Sequence, residues 1–262
     1  MTPFRPLAAV TGASEGLGKE FARQLAAEGY NLIIIARRPA LLDALKADLE
    51  KTYNVQVEPL ACDLSKPDGI KQVEERLEKE ESLEMLVNNA GFGLSDAFPN
   101  VNPDLEESMI RVHAIAPMRL SRAALVPMCK RQKGYIINLS SVAAFLCGQN
   151  TAEYIATKAY LLSFSKSLQC DVRRYGVRVQ ALCPGFTHTG FHSTESMKSF
   201  QKSEIPSWLW LSSEYVVRTS LHSLRRTSRV VCVPSFRYKA ILALLCNPIG
   251  NVLMGRFSGP GR

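Results

Sequence analysis

Tyr154 and Lys158 stand four positions apart in the segment AEYIATKAYLLSFSKSL, and Ser141 precedes them in INLSS. On a helix, residues at i and i+4 share one face, so a phenol and an ammonium become neighbours. A free tyrosine titrates near pH ~10, too high for proton transfer at neutral pH. A cation one turn away favours the phenolate and draws that value down. The pair is a candidate proton donor and acceptor, and the Ser141 hydroxyl is a candidate partner beside it. Tyr-x-x-x-Lys spacing also arises on ordinary surface helices, so the chemistry needs an independent signal elsewhere in the chain.

That signal lies near the N-terminus. LAAVTGASEGLGKEFARQLAAEGYNLIIIARR reads as strand, glycine turn, helix, strand. Leu7 to Thr11 is a short apolar run ending at Gly12. Gly16 and Gly18 open a helix whose apolar residues Leu17, Phe21 and Leu25 recur at helical spacing. Asn31 to Ala36 is a second apolar strand, suited to a parallel sheet covered on both faces. Glycines at such a turn let the backbone come close to a pyrophosphate, and the helix N-terminus supplies N–H donors and a favourable dipole. The blander reading, that these glycines only build turns, is weakened by their position between strand and helix.

Further strand–helix units follow. Leu41, Leu42, Leu45 and Leu49 mark a helix after Pro39, Gln56 to Ala61 a third strand, and Ile70, Val73 and Leu77 a helix within a charged segment. Met85 to Asn88 reads as a fourth strand, Ser108 to Arg131 as one long helix kinked at Pro117, and Tyr135 to Leu139 as a fifth strand. Glu153 to Arg174 reads as the helix carrying the Tyr/Lys pair, Val177 to Leu182 as a sixth strand, Ser213 to Arg225 as a helix and Arg229 to Val233 as a last strand. Such alternation predicts a doubly wound parallel sheet, whose ligands bind beyond the carboxyl ends of the strands.

The motifs come in a specific order: TGASEGLG at Thr11 to Gly18, fitting TGxxxGxG; Asp63 in ACDLS; NNAG at Asn88 to Gly91; Ser141 in INLSS; Tyr154 and Lys158 in YIATK; and CPGFTHT at Cys183 to Thr189. In these the chain resembles the short-chain dehydrogenase/reductase family in its single-domain form, from about Leu7 to about Pro234. The resemblance is nearest to members acting on 3-oxoacyl and related lipid-like ketones. It implies an α/β, Rossmann-like doubly wound parallel sheet of about seven strands flanked by helices. Residues 1–262 would form a single NADP(H)-binding domain, with a substrate loop at 186–211 and an apolar C-terminal extension at 235–262. Leu146, Gln149 and the loop's aromatics would shape a pocket for a hydrophobic carbonyl or alcohol.

The same resemblance assigns roles. Tyr154 gives its proton to the developing alkoxide, Ser141 holds the carbonyl oxygen, and Lys158 lowers the tyrosine pKa and binds the nicotinamide ribose. Cofactor contacts fall on Gly12, Ser14, Glu15, Gly16, Leu17, Gly18, Asp63, Leu64, Asn89, Ala90, Gly91, Tyr154, Lys158, Pro184, Gly185, Thr187 and Thr189. Arg37 and Arg38 end the second strand, where an acidic residue would bind the ribose 2′-OH of NAD and arginine accommodates a 2′-phosphate. NADPH is therefore expected in preference to NADH. One position departs from the family: where an asparagine commonly holds a relay water, this chain carries His113 in MIRVHAIAPMRL. A histidine can donate, accept and titrate near neutrality, so His113 is either a member of the catalytic set or a satisfied buried side chain.

Composition bounds the remaining partners. The net charge is +8, but the basic residues are dispersed and no nucleic-acid motif is present. His188, His192 and His222 show no metal-ligand spacing with cysteines, so no metal is expected. Seven cysteines without a C-x-x-C pair fit a reducing compartment. The chain enters its first strand almost at once, which leaves no room for a secretory signal; the expected location is cytoplasmic. The run Tyr238 to Cys246 is too short to span a bilayer; with Arg237, Lys239 and Arg256 it could dock on a membrane surface, or pack on its own domain. Family precedent implies a homodimer or homotetramer. The alternatives to an enzyme are a non-catalytic NADP(H)-binding regulator and a membrane-surface interaction protein on the same scaffold.

Overall fold

The computed structural model describes residues 5–191, 194–198 and 200–246. Its centre is a parallel sheet of seven strands: β1 (Leu7–Thr11), β2 (Asn31–Ala36), β3 (Val57–Ala61), β4 (Leu83–Asn88), β5 (Gly134–Leu139), β6 (Val177–Leu182) and a short last strand, here β9 (Val231–Cys232), in the order β3-β2-β1-β4-β5-β6-β9. The apolar runs have the physical cause expected of them. Along β2, Leu32 and Ile34 enter one core while Ile33 and Ile35 enter the other, as the two-residue side-chain period requires. Both faces are covered, so the central positions Leu32 to Ile35 are all apolar.

Helices α1 (Gly16–Ala27), α2 (Pro39–Tyr53) and α7 (Ser213–Arg226) cover the first face with Phe21, Leu25, Leu42, Leu49, Leu221 and Leu224. Helices α3 (Pro67–Glu78) and α5 (Ala116–Arg131) cover the second with Ile70, Val73, Leu77, Leu120, Ala124 and Met128. Strand order reverses between β1 and β4. The loops after β1, β4, β5 and β6 therefore open on one edge of the sheet, the position where such folds bind ligands.

The predicted helix from Ser108 to Arg131 is in fact three pieces. An α4 (Pro103–Ile110) begins earlier, because the Asn102 side chain accepts the Asp104 N–H at 2.9 Å and Pro103 occupies the first turn. Residues Arg111–Ile115 then widen into a π-helical turn, with the Ala116 N–H donating to the Arg111 carbonyl. Pro117 has no N–H for a regular i→i−4 bond, and the wide turn accommodates its ring. His113 sits in that turn. The long helix carrying the Tyr/Lys pair is α6 (Ala152–Val172).

After β6, two short parallel strands, β7 (Thr187–His188) and β8 (Leu211–Ser212), close the base of the segment between them. The chain's last described element is α8 (Phe236–Leu245). Among the described residues no helix is long and apolar enough to cross a membrane. The remainder of the predicted C-terminal extension, and His192, lie outside the described residues.

Candidate active site

The groove begins with backbone. Gly12 and Gly16 hold φ of +65° and +55°, a region costly for residues with a Cβ. A Cβ on Gly12 would meet the Ala90 Cα and Asn89 Nδ2 at 2.8 Å, and one on Gly18 would lie 2.1 Å from the Gly12 carbonyl oxygen. Glu15, at the α1 N-cap, makes no capping bond with its side chain, and the first turn carries no acidic residue. The free N–H groups and dipole of that turn are thus open to an anion. Leu17 and Leu64 point into the core, so only their backbones can face the groove.

Thr11 and Asn89 fasten the loops after β1 and β4 to each other. The Thr11 hydroxyl accepts the Asn89 and Ala90 N–H groups at 2.9 and 3.0 Å, and the Asn89 amide donates to the Thr11 and Gly12 carbonyls at 2.9 and 3.2 Å. Arg38 donates to Ser14 Oγ at 3.2 Å and pairs with Glu15 at 2.9 Å, while Arg37 is exposed beside it. Asp63 accepts the Ser65 N–H at 2.9 Å at the end of β3. From β6, Thr189 packs against Gly16, and Thr187 donates to the Gly185 carbonyl at 3.0 Å. Pro184 accepts the Val142 N–H through its carbonyl. These contacts bring the loop after β1 together with Arg38 after β2, Asn89 after β4 and Thr189 after β6. A cradle that any Cβ would fill, a free helix N-terminus and a guanidinium beside Ser14 fit a dinucleotide carrying a 2′-phosphate.

Next to this cradle Ser141, Lys158 and His113 are buried around a half-buried Tyr154. Lys158 is 4% exposed and donates from Nζ to the Leu139 carbonyl at 2.9 Å. Its ammonium nitrogen lies 5.5 Å from the centroid of the Tyr154 ring. Burial pulls the Lys158 pKa down to about 7. Ser141 caps the turn Val142–Phe145, its Oγ accepting the Ala143 N–H at 3.1 Å, which leaves the hydroxyl proton free to donate. Burial raises the Tyr154 pKa, and a hydrogen bond from Ser141 works against that rise. The sequence predicted a lowered value from the neighbouring cation; in the folded protein the value is raised instead, because removal from water disfavours the phenolate.

His113 is fully buried behind this cluster. Its Nε2 accepts the Phe92 N–H at 3.0 Å, so its Nδ1 carries the proton and donates to Thr157 Oγ1 at 3.0 Å. Thr157 in turn donates to the Tyr154 carbonyl at 2.9 Å. The imidazole sits edge-on to the Tyr154 ring, centroids 5.9 Å apart, and fills the space left by Gly91. Desolvation, and then the nearby Lys158 charge, hold its pKa well below the ordinary imidazole value. Both ring nitrogens are occupied by bonds that tie the loop after β4 to α6.

The apolar wall comes from the segment after β6. Phe191 tilts over the Tyr154 ring at 6.0 Å, and Gly93 is packed against Phe191 and Met197. Trp210 lies on Phe186 and His188 at 5.5 and 5.0 Å, whereas Trp208 stays exposed. Beside them, His188, Thr189, Lys202, Ile205, Ser207 and Trp210 line an open cleft of about 580 Å³. Leu146 is half-buried and Gln149 exposed.

Several supporting groups were not legible in the sequence. The Leu139 carbonyl that receives Lys158 is backbone and leaves no residue-type signal. Asn88 and Asn138 are register partners on β4 and β5, joined at 2.8 Å, and each also holds a helix: Asn88 donates to Ser121 of α5 at 3.1 Å, Asn138 to Ser165 of α6 at 2.9 Å. An asparagine late in each of two apolar strands was the available clue.

A family model described as short chain dehydrogenase matches residues 6–199. The chain is 35% identical over 187 residues to very-long-chain 3-oxoacyl-CoA reductase-A of Danio rerio, covering 70% of this chain and 58% of that protein. It is 33% identical over 180 residues to 17-beta-hydroxysteroid dehydrogenase type 3 of Homo sapiens, covering 68% and 57%. The chain spans 58 to 61% of the length of the first curated relatives it matches. Among solved structures, a short-chain dehydrogenase from Sphingobium yanoikuyae in complex with NADPH superposes with a TM-score of 0.83 at 28% identity, over 98% of this chain and 97% of that one.

Proposed function

We propose an activity for a chain that belongs to the short-chain dehydrogenase family: NADP(H)-dependent interconversion of a carbonyl and a secondary alcohol on a hydrophobic substrate. The observation that carries it is the buried Lys158 beneath Tyr154, with Ser141 on the phenol oxygen. Packing does not require a lysine there. Burying an ammonium with one carbonyl partner is destabilising, and such perturbed groups gather at functional sites.

NADPH, when bound, supplies the hydride. The chain's own residues bind, orient and move the proton. The glycine turn and the α1 N-terminus receive the pyrophosphate, and Arg37, Arg38 and Ser14 receive the 2′-phosphate. Asp63, Asn89 to Gly91, Pro184, Gly185, Thr187 and Thr189 line the rest. The Ser141 hydroxyl donates to the substrate oxygen. Tyr154, kept as a neutral phenol by its raised pKa, is in the form that reduction needs and gives its proton to the developing alkoxide. That leaves a phenolate, which Lys158, with a pKa of about 7, reprotonates before taking a proton back from solvent. We assign His113 a positioning role: it holds the loop after β4 against α6 through Phe92 and Thr157.

Phe191 and Met197 supply an apolar wall, consistent with the bulky apolar substrates in the names of the relatives. Exposed apolar residues Val126 on α5 and Tyr160 on α6 favour a homodimer or homotetramer through those helices. The deciding experiment is NADPH oxidation across ketones and acyl thioesters of graded chain length. Turnover that grows with apolar size supports the assignment. NADPH binding without turnover of any carbonyl would make the protein a regulator, and no NADPH binding would make it an interaction protein on this scaffold.

A further inference from the structure

The matching family model ends at residue 199, yet α8, farther along the chain, reaches the active-site walls from behind. Tyr238 of α8 is 5% exposed. Its hydroxyl accepts the Phe186 N–H at 2.9 Å and donates to the Leu209 carbonyl at 2.8 Å. Phe186 and Leu209 flank the two ends of the segment that carries Phe191 and Met197. One phenol thus holds both ends at once. Gly185 leaves the space: a Cβ there would sit 1.9 Å from the Tyr238 Cζ. The Leu211 N–H donates to the Phe186 carbonyl at 2.9 Å just beyond, and Arg237 donates from the surface to the Trp208 carbonyl at 2.6 Å.

The helix also supports the other wall. Tyr238 and Leu242 belong to the core against which Val142, Phe145 and Leu146, following Ser141, are packed, and Cys246 Sγ reaches the Phe145 carbonyl at 3.4 Å. The distance between the two walls of the substrate site is therefore referred to α8 on both sides. On the Phe186 side the reference is a pair of buried hydrogen bonds on one atom.

We infer that Tyr238 is a positioning residue that fixes the width of the substrate site and so determines how large an apolar substrate is accepted. This rests on the carbonyl-reductase reading above for its kinetic consequence, though not for its structural one. A buried hydroxyl that loses its two partners frees a backbone N–H and a carbonyl at once. The segment's ends are then held only by the β7–β8 pairing and the Leu211–Phe186 bond and loosen, while the Tyr238 hydroxyl bonds neither to the turn that Ser141 caps nor to α6, which carries Tyr154 and Lys158.

The test compares Tyr238→Phe, which keeps the ring and removes both bonds, with Phe236→Ala, an exposed position on the same helix. Hydrogen–deuterium exchange of peptides covering 184–191 and 207–212 should accelerate about tenfold in Tyr238→Phe and stay unchanged in Phe236→Ala. With a long-chain 3-oxoacyl thioester, KM should rise about tenfold with kcat within about twofold, while a small 3-oxoester is converted as before. Should Tyr238→Phe not fold, Arg237→Gln removes the surface bond to the same segment and should shift exchange and KM in the same direction by a smaller factor. Unchanged exchange at those peptides, or an equal loss on small and large substrates, overturns the proposal. If the wild type reduces no carbonyl, the activity assignment fails while the exchange measurement still decides the role of Tyr238.

Discussion

The two sides of the groove are built from different materials. The side after β1 and β4 is backbone: positive-φ glycines, Thr11 and Asn89 bonded to main-chain groups, and charges left in solvent on Arg37, Arg38 and Glu15. The side on β5, α6 and the π-helical turn is made of side chains whose ionisation is displaced, the half-buried Tyr154 upward and the buried Lys158 and His113 downward. The first side holds a shape and the second holds a charge state. Substitutions on the first should alter what binds and how tightly. Those on the second should alter rate and pH dependence, with stability moving against function.

The largest expected effect lies on the charged side. Tyr154→Phe removes the proton donor and should lower kcat by roughly 10²–10⁴-fold, the usual contribution of a general acid. NADPH affinity, read by fluorescence titration, should stay within about twofold of wild type. Near-wild-type turnover would break the comparison at its centre. Lys158→Met should lower kcat by at least about 10²-fold yet raise the melting temperature, by roughly 3–6 °C, since it removes a buried cation. The sign follows from the displaced pKa: between about pH 7 and the ordinary lysine value of 10.5 the unfolded chain binds more protons than the folded one. Wild-type stability attributable to this group therefore rises with pH across that window. The melting-temperature gap between variant and wild type should be widest at pH 7 and close towards pH 10.

On the backbone side, Arg38→Ala should reduce the preference for NADPH over NADH by about 10–100-fold, the loss of one charge-assisted contact to a phosphate. Turnover at saturating cofactor should be preserved. The exposed Arg38–Glu15 pair itself contributes little to stability, so an unfolded Arg38→Ala would contradict the division drawn here. The smallest effect belongs to His113. It is held neutral, so below the ordinary imidazole value of 6.5 the unfolded chain takes up a proton that the fold refuses. Stability should fall with pH from there downward. His113→Asn should flatten that slope in urea titrations between pH 7 and 5 while leaving the pH profile of kcat unchanged; a changed kcat profile would move His113 into the proton path.

Much of the fold was legible because burial dictates residue type. NLIIIA can only be a strand covered on both faces, and Ile70, Val73 and Leu77 can only stripe a helix. The boundaries of the fourth and last strands and the break at Pro117 were less so, because a widened turn depends on how the carbonyls around a missing N–H find other partners. Ser141, Tyr154, Lys158 and the glycine turn were legible as residue types at fixed spacing. Thr157, the Leu139 carbonyl and Tyr238 were not, since their parts come from bonds to distant backbone.

By itself the sequence determined the strand–helix alternation, the glycine turn and the placing of phenol and ammonium on one helical face. These follow from local geometry and from the two periods of the polypeptide chain. Only the tertiary structure decided the charge states at that face. Desolvation depends on what packs around a group, and it reversed the shift that the Tyr154–Lys158 spacing alone predicts. The tertiary structure also decided that His113 faces Phe92 and Thr157, and that a helix far along the chain bonds both Phe186 and Leu209. Such contacts join residues that no spacing relates.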